Sequence, residues 1–171
     1  TAELLVQIGY SNLTLAAVAA RAGTTKSALY RRWSSKADLV HEAAFSVAPS
    51  ALTSSAGDVA ADVRAMIAAA RDVFTSPVVR AALPGLLADM ADDAELTARV
   101  LSRFDGLFDV LRQWVAEATD RGDTHREVDF DRLVEVIGGA TLFALLLRPG
   151  NDLTDDWVER TAAIVVHGVV T

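Results

Sequence analysis

Apolar residues between Leu15 and Trp33 recur at helical spacing in two short bursts separated by a glycine. Leu15, Val18, Ala19 and Ala22 stand at i, i+3, i+4 and i+7, one stripe of a helix. Gly23 interrupts it. Thr24 or Thr25 then offers a hydroxyl to cap a second helix, in which Leu29 and Trp33 lie four apart on one side. Two helices joined by a glycine-containing turn of a few residues predict a helix-turn-helix, whose second helix enters the DNA major groove.

Helical patterning continues to the end of the chain, and no alternating strand pattern longer than a few residues occurs. Ala37 to Ala48 extends as a helix that Pro49 stops, and the Ser-, Ala- and Thr-rich stretch from Pro49 to Gly57 reads as a linker. Asp58 caps a helix from Val59 to Phe74. Ser76 followed by Pro77 opens the next, with a kink or restart expected near Pro84 and Gly85. Asp92 and Glu95 have the spacing of a capping box for a long helix to about Asp120. A polar connection, Gly122 to Glu127, leads to helices over Asp129 to Leu147 and Thr154 to Val170, separated by Arg148, Pro149 and Gly150. The expected fold is all-α: a three-helix helix-turn-helix domain over residues 1–48 and a helical domain over 49–171. Thr1 to Gly9 reads as the tail of an amphipathic helix already under way, so further residues are expected to precede it.

Taking Leu29 as the inward direction, Ser27 and Arg31 point outward, Thr24 lies close to them, and Lys26 and Tyr30 share a flank. Small hydroxyls and a long basic fork can reach base edges and phosphates. Thr14 and Lys36 open the helices on either side, where hydroxyl, amine and helix N-terminal N–H groups can converge on phosphates. A solvated polar face on a small amphipathic hairpin would show the same spacing, and charge favours the DNA-binding reading over it. From Leu4 to Ala37 there is no acidic residue, while Arg21, Lys26, Arg31, Arg32 and Lys36 contribute +5. The chain as a whole, with 16 basic and 23 acidic side chains, carries −7, which leaves −12 outside that window. Positive charge gathered on one hairpin of an acidic protein is an electrostatic footprint for a polyanion. The candidate DNA-binding set is Thr14, Thr24, Thr25, Lys26, Ser27, Tyr30, Arg31, Arg32 and Lys36.

Gly9-Tyr10, Thr14, Ala22-Gly23, Lys26 to Tyr30, Trp33 and Ser35 to Leu39 together resemble the N-terminal DNA-binding domain of TetR-family transcriptional regulators. Thr24, Ser27, Ala28 and the Trp33-Ser34 pair depart from the residues common there. A weaker resemblance, carried by LYRRW followed by PGLLADMADDAEL, extends to one C-terminal subtype of the family. The resemblance implies a homodimer that binds double-stranded DNA and holds a small effector between helices of its C-terminal region.

The last two helices are apolar nearly all round. From Val136 to Leu147 the one polar side chain is Thr141, and from Ala162 to Val170 it is His167. A helix apolar on every side must be buried on every side, so its second face needs either a large intrachain core or a partner. A four-helix interface between two copies is the favoured reading, with Val136, Gly139, Ala140, Phe143, Trp157, Ile164 and Val165 as its candidates. Two-fold symmetry then demands a pseudo-palindromic operator. Phe74, Met90, Phe104, Phe108, Leu111, Trp114 and Phe143 are the candidates for an effector pocket, which makes the effector small and largely apolar.

Enzyme chemistry finds no support. His41-Glu42 begins a zinc-protease helix motif, but Phe45 stands where the second histidine should be. His125 falls in a polar loop and His167 on an apolar helix. No phosphate-binding or nucleophile-elbow motif occurs, and the chain has no cysteine. No cofactor or metal is expected. The longest apolar run falls short of the ~20 residues of a membrane span, so a cytoplasmic protein without membrane contact is expected. The sequence therefore reads as a ligand-responsive transcriptional repressor, with a helical small-molecule-binding or interaction module, its basic hairpin incidental, as the rival.

Overall fold

The computed structural model describes residues 1–45, 57–124, 128–147 and 153–169. Among them are ten helices and no strand: α1 (Ala2–Asn12), α2 (Leu15–Arg21), α3 (Lys26–Tyr30), α4 (Lys36–Ala44), α5 (Val59–Thr75), α6 (Pro77–Asp92), α7 (Ala94–Ser102), α8 (Asp105–Asp120), α9 (Phe130–Leu147) and α10 (Asp155–Val169). The fold is all-α. Helices α1–α4 join α6 and α7 in one compact unit, while α5 joins α8, α9 and α10 in a second.

Local chemistry sets each boundary of the first unit's hairpin. The Thr14 hydroxyl accepts the Ala17 N–H at 3.1 Å and opens α2. Gly23, at φ +62°, closes it: the Thr24 N–H reaches the Ala19 carbonyl at 3.0 Å and the Gly23 N–H the Ala20 carbonyl at 3.3 Å. Of the two candidate caps for α3 it is Thr25 that serves, accepting the Ala28 N–H at 3.1 Å. Ser35 caps α4 through the Asp38 N–H. Leu5, Leu13, Leu15, Val18, Ala19, Leu29, Leu39 and Val40 then meet Ala82, Leu86, Leu96 and Val100 of α6 and α7 in one core.

Pro84 and Gly85 do not restart the helix: α6 runs through both. Pro84 lacks the N–H that would bond four residues back. Gly85 is there for packing. The Tyr10 ring, turned inward after the non-helical Gly9 (φ +74°), lies where a Cβ at position 85 would be. The Tyr10 hydroxyl donates to Asp89 one turn further along α6. Burial first, then that carboxylate, keeps the phenol protonated well beyond its ordinary range.

Three other boundaries differ from the sequence expectation. Asp93, not Asp92, caps α7, accepting the Leu96 N–H at 2.9 Å. The expected long helix also breaks at Arg103 and Phe104, because the last turn of α7 tightens to i→i+3 bonds and α8 restarts at Asp105. The expected extension of α4 past Ala44 also fails at Phe45, the C-cap, which leaves helical geometry. The linker (save Gly57), His125, the 148–150 turn and Val170 lie outside the described residues.

The second unit packs α9 and α10 against α5. Its core joins Val59, Val63, Met66 and Ile67 of α5 with Leu111, Val115 and Ala118 of α8, Phe130, Leu133 and Ile137 of α9, and Val158, Ala162 and Val165 of α10. Arg71 pairs with Asp155 at 2.6 Å and Arg64 with Glu159 at 2.9 Å, tying α5 to α10. The Trp114 indole N–H donates to the buried Asp62 carboxylate at 2.9 Å. In α9 the buried positions Leu133, Ile137 and Thr141 follow one helical stripe, while Val136, Phe143, Leu146 and Leu147 of the same helix are exposed. Ile164 of α10 is 77% exposed.

Candidate nucleic-acid interface

Every candidate on the turn and the reading helix lies on the surface. Thr24, Thr25, Lys26, Ser27, Tyr30, Arg31 and Arg32 are exposed, while Leu29 is buried and Trp33 half-buried beneath them. The Lys26 ammonium lies 5.6 Å from the centre of the Tyr30 ring. Thr14 is exposed at the start of α2. Its hydroxyl oxygen accepts the capping bond, as does that of Thr25, leaving each O–H as a donor for an incoming acceptor.

The five positive charges of the acid-free window are not equivalent. Arg21 pairs with Glu3 at 2.7 Å and Arg32 with Glu42 at 2.6 Å, both acids lying outside the window. Lys36 is half-buried, its ammonium 3.2 Å from the Tyr10 carbonyl and 4.0 Å from the centre of the Tyr10 ring. Arg31 has no ion-pair partner among the described residues and is fully outward, as its position opposite Leu29 requires.

Behind the reading helix α4 carries buried charge whose role the sequence did not reveal. Burial alone would raise the Asp38 pKa, yet the hydroxyls of Ser34 and Ser35 and the nearby Arg99 and Arg103 hold it below the usual carboxylate value. Glu42 is shared more widely. One carboxylate oxygen accepts from Arg32, and the other accepts the Trp33 indole N–H at 3.0 Å with Arg103 at 3.6 Å. His41 is 2% exposed, stacks on Phe45 at 5.0 Å and meets the edge of Phe104 at 5.3 Å. Neither ring nitrogen has a hydrogen-bond partner among the described residues. Burial first, then Arg103, pushes its pKa down to about 4. The pairing of Glu42 with Trp33 was legible only as an acid nine residues after a tryptophan, a separation no motif marks. Among the described residues there is no cluster of metal-binding side chains, and His167 is exposed with its Nδ1 2.5 Å from the Ala163 carbonyl oxygen.

The candidates for the effector pocket divide between the units. Met90 and Phe104 pack against the first core. Leu111, Phe108 and Trp114 belong to the second, Phe74 is half-buried on α5, and Phe143 is 62% exposed. Of the candidates for the dimer interface, Val136, Gly139, Phe143 and Ile164 are exposed, Ala140 and Trp157 are half-buried, and Val165 lies inside its own protomer's core. No helix among the described residues is long and apolar enough to cross a membrane.

Residues 1–43 match the family of bacterial regulatory proteins named tetR, and residues 54–165 match the tetracyclin repressor-like C-terminal domain. An uncharacterized HTH-type transcriptional regulator of Mycobacterium tuberculosis is 30% identical over 169 residues, which are 97% of this chain and 82% of that protein. A TetR family transcription regulator of known crystal structure superimposes with a TM-score of 0.74 at 28% identity, over 99% of this chain and 94% of the other. A gamma-butyrolactone receptor superimposes with a TM-score of 0.54 at 25% identity, over 99% and 84% of the two chains. A basic hairpin with its caps, turn and outward residues in this arrangement is thus a DNA-binding helix-turn-helix and no part of an enzyme, and the chain belongs to the TetR family of bacterial transcriptional regulators.

Proposed function

We propose that this regulator is a cytoplasmic homodimer that represses transcription from a pseudo-palindromic operator and lets go of it on binding a small, largely apolar effector. One observation carries the reading: the apolar face that α9 and α10 leave uncovered, with Phe143 62% and Ile164 77% exposed. Exposed apolar surface of this concentration is where a second chain packs. Gly138 and Gly139 support it. A Cβ at either would meet nothing within 4 Å among the described residues, so their packing gives no reason for two residues that each cost a helix ~1 kcal/mol against alanine. A second helix approaching closely does give one.

In the dimer, Arg31 reads bases, with Thr24 and Ser27 beside it, while Thr14, Thr25, Lys26, Tyr30 and Lys36 address phosphates. A guanidinium aimed into the major groove pairs with guanine through two hydrogen bonds. The effector occupies the second unit beside Phe74, Phe108, Leu111 and Trp114, and it acts by binding two states unequally, by about 1–3 kcal/mol. The similarity to a gamma-butyrolactone receptor supports a small, weakly polar molecule of that kind. Selection of duplexes from a random pool by the purified protein tests the whole reading. It should return two half-sites in inverted orientation, and a single asymmetric site, or none, would overturn it.

A further inference from the structure

We propose that Glu42 is a positioning residue for the reading helix: it anchors Trp33 and withholds Arg32 from the DNA backbone. The inference deepens the proposed operator binding and rests on it for its DNA readouts. Helix α3 spans five residues, far too few to be stable alone, and it has a single buried side chain, Leu29. A short helix held at one point can pivot about it. The second point is Trp33, one turn on, whose own amide still bonds the Leu29 carbonyl at 3.0 Å.

Trp33 is only half-buried, so packing alone fixes it weakly, and its indole N–H is directed to Glu42 at 3.0 Å. The same carboxylate takes the Arg32 guanidinium at 2.6 Å, and that guanidinium stacks 4.7 Å from the centre of the Trp33 ring. Arg32, Trp33 and Glu42 thus close a triangle at the C-terminal end of the reading helix. Arg103, the C-cap of α7, lies 3.6 Å from the same carboxylate, and Glu42 itself sits on α4. With both anchors in place the rotation of α3 about its axis is set, and so is the direction in which Ser27 and Arg31 leave it. The charge on Arg32, although exposed, is meanwhile neutralised.

Two variants separate the two roles. Glu42→Ala removes both contacts, whereas Glu42→Gln keeps an acceptor for the Trp33 indole and removes the charge facing Arg32. In the DNA-free protein, Glu42→Ala should speed amide exchange at residues 29–33 while the rest of the first unit keeps its protection. On a duplex selected by the wild-type protein, it should cut binding about tenfold more than on poly(dI-dC), a loss in keeping with one charge-assisted hydrogen bond. Glu42→Gln should preserve that discrimination and steepen the salt dependence by about 0.9 in log–log slope, as Arg32 reaches a phosphate. If α3 exchanges no faster in Glu42→Ala, the positioning role is wrong, and unchanged slope in Glu42→Gln removes the withholding role. Should the wild type select no duplex, the operator reading fails instead, and the exchange experiment still decides the anchor.

Discussion

The two units use their apolar residues differently. In the first, the helical stripes of α2, α3 and α4 end inside: Leu15, Val18, Ala19, Leu29, Leu39 and Val40 are buried, and none of these three helices leaves a large aliphatic side chain exposed. In the second, α9 and α10 carry more apolar residues than their own core accepts. Leu133, Ile137, Val158, Ala162 and Val165 fill that core, while Val136, Phe143, Leu146, Leu147 and Ile164 remain outside. A stripe with a single period is satisfied by the chain that carries it. Apolar residues in excess of that period belong to a surface the chain cannot cover alone.

The sharpest way to break this contrast is to put charge on the excess. In the proposed dimer, Asp at Ile164 would be buried without a partner, at a cost of about 3–5 kcal/mol in each protomer. Ile164→Asp combined with Phe143→Asp should run as a monomer in sedimentation and lose operator affinity, although the reading hairpin is untouched. Both side chains are outside the protomer's own core, so thermal unfolding of the monomer should change little. A variant that stays dimeric on the selected operator would place the interface elsewhere.

The interior of the first unit gives the next largest effect, and it depends on pH. His41 titrates near 6.5 in an unfolded chain and near 4 in the fold, so the unfolded state binds the proton more tightly. Stability is therefore complete above about pH 6.5, falls as pH drops toward 4, and levels below it, with a total loss of about 3 kcal/mol. His41→Leu has no proton to bind. Denaturant unfolding at pH 7 and pH 4.5 should show the difference between the two conditions shrinking in the variant, the remainder coming from carboxylates such as Asp38, whose lowered pKa acts in the same direction at lower pH.

The helix-turn-helix was readable because its determinants are local: hydroxyl caps three residues from the N–H they accept, a glycine where φ must be positive, and one apolar stripe per helix. The all-α class and the uncovered apolar surplus follow from the same periodicity. Long-range pairings escaped. Nothing within a window around Pro84-Gly85 says that the glycine is there for a tyrosine 75 positions earlier, so a breaker pair reads as the restart of a helix that in fact continues. The break at Arg103–Phe104 is equally silent, since both residues are tolerated in helices and the interruption comes from hydrogen-bond geometry in the last turn of α7. The acid-free window overstated the free charge, because Glu3 and Glu42 reach back into it from outside.

That tyrosine–glycine contact gives a smaller, sharper test within the first unit. In an ordinary helix interior Gly→Ala stabilises, by about 1 kcal/mol. At position 85 the new methyl group would overlap the Tyr10 ring, which cannot retreat while its hydroxyl is bonded to Asp89. Gly85→Ala should therefore destabilise by about 1–3 kcal/mol, the range for overpacking. Tyr10→Leu in the same chain should remove most of that penalty. Stabilisation by the single variant would mean that α6 lies further from α1.

The smallest effect concerns Lys36, which the first unit uses for packing as well as for charge. An ammonium has three donors. The Tyr10 carbonyl takes one at 3.2 Å and the Tyr10 ring lies 4.0 Å away, which leaves one donor at the N-terminus of α4 for a phosphate without any rearrangement. Lys36→Ala should thus lower the salt dependence of operator binding by about 0.9 in log–log slope, equally for selected and random duplexes. It should also lower stability by about 0.5–1 kcal/mol through the lost contact with the ring. Lys36→Met, which keeps the length of the side chain without its charge, should show the same slope as Lys36→Ala. Loss of stability with an unchanged slope in both variants would make Lys36 a packing residue alone, and the backbone contact at the start of α4 would then fall to the helix N–H groups.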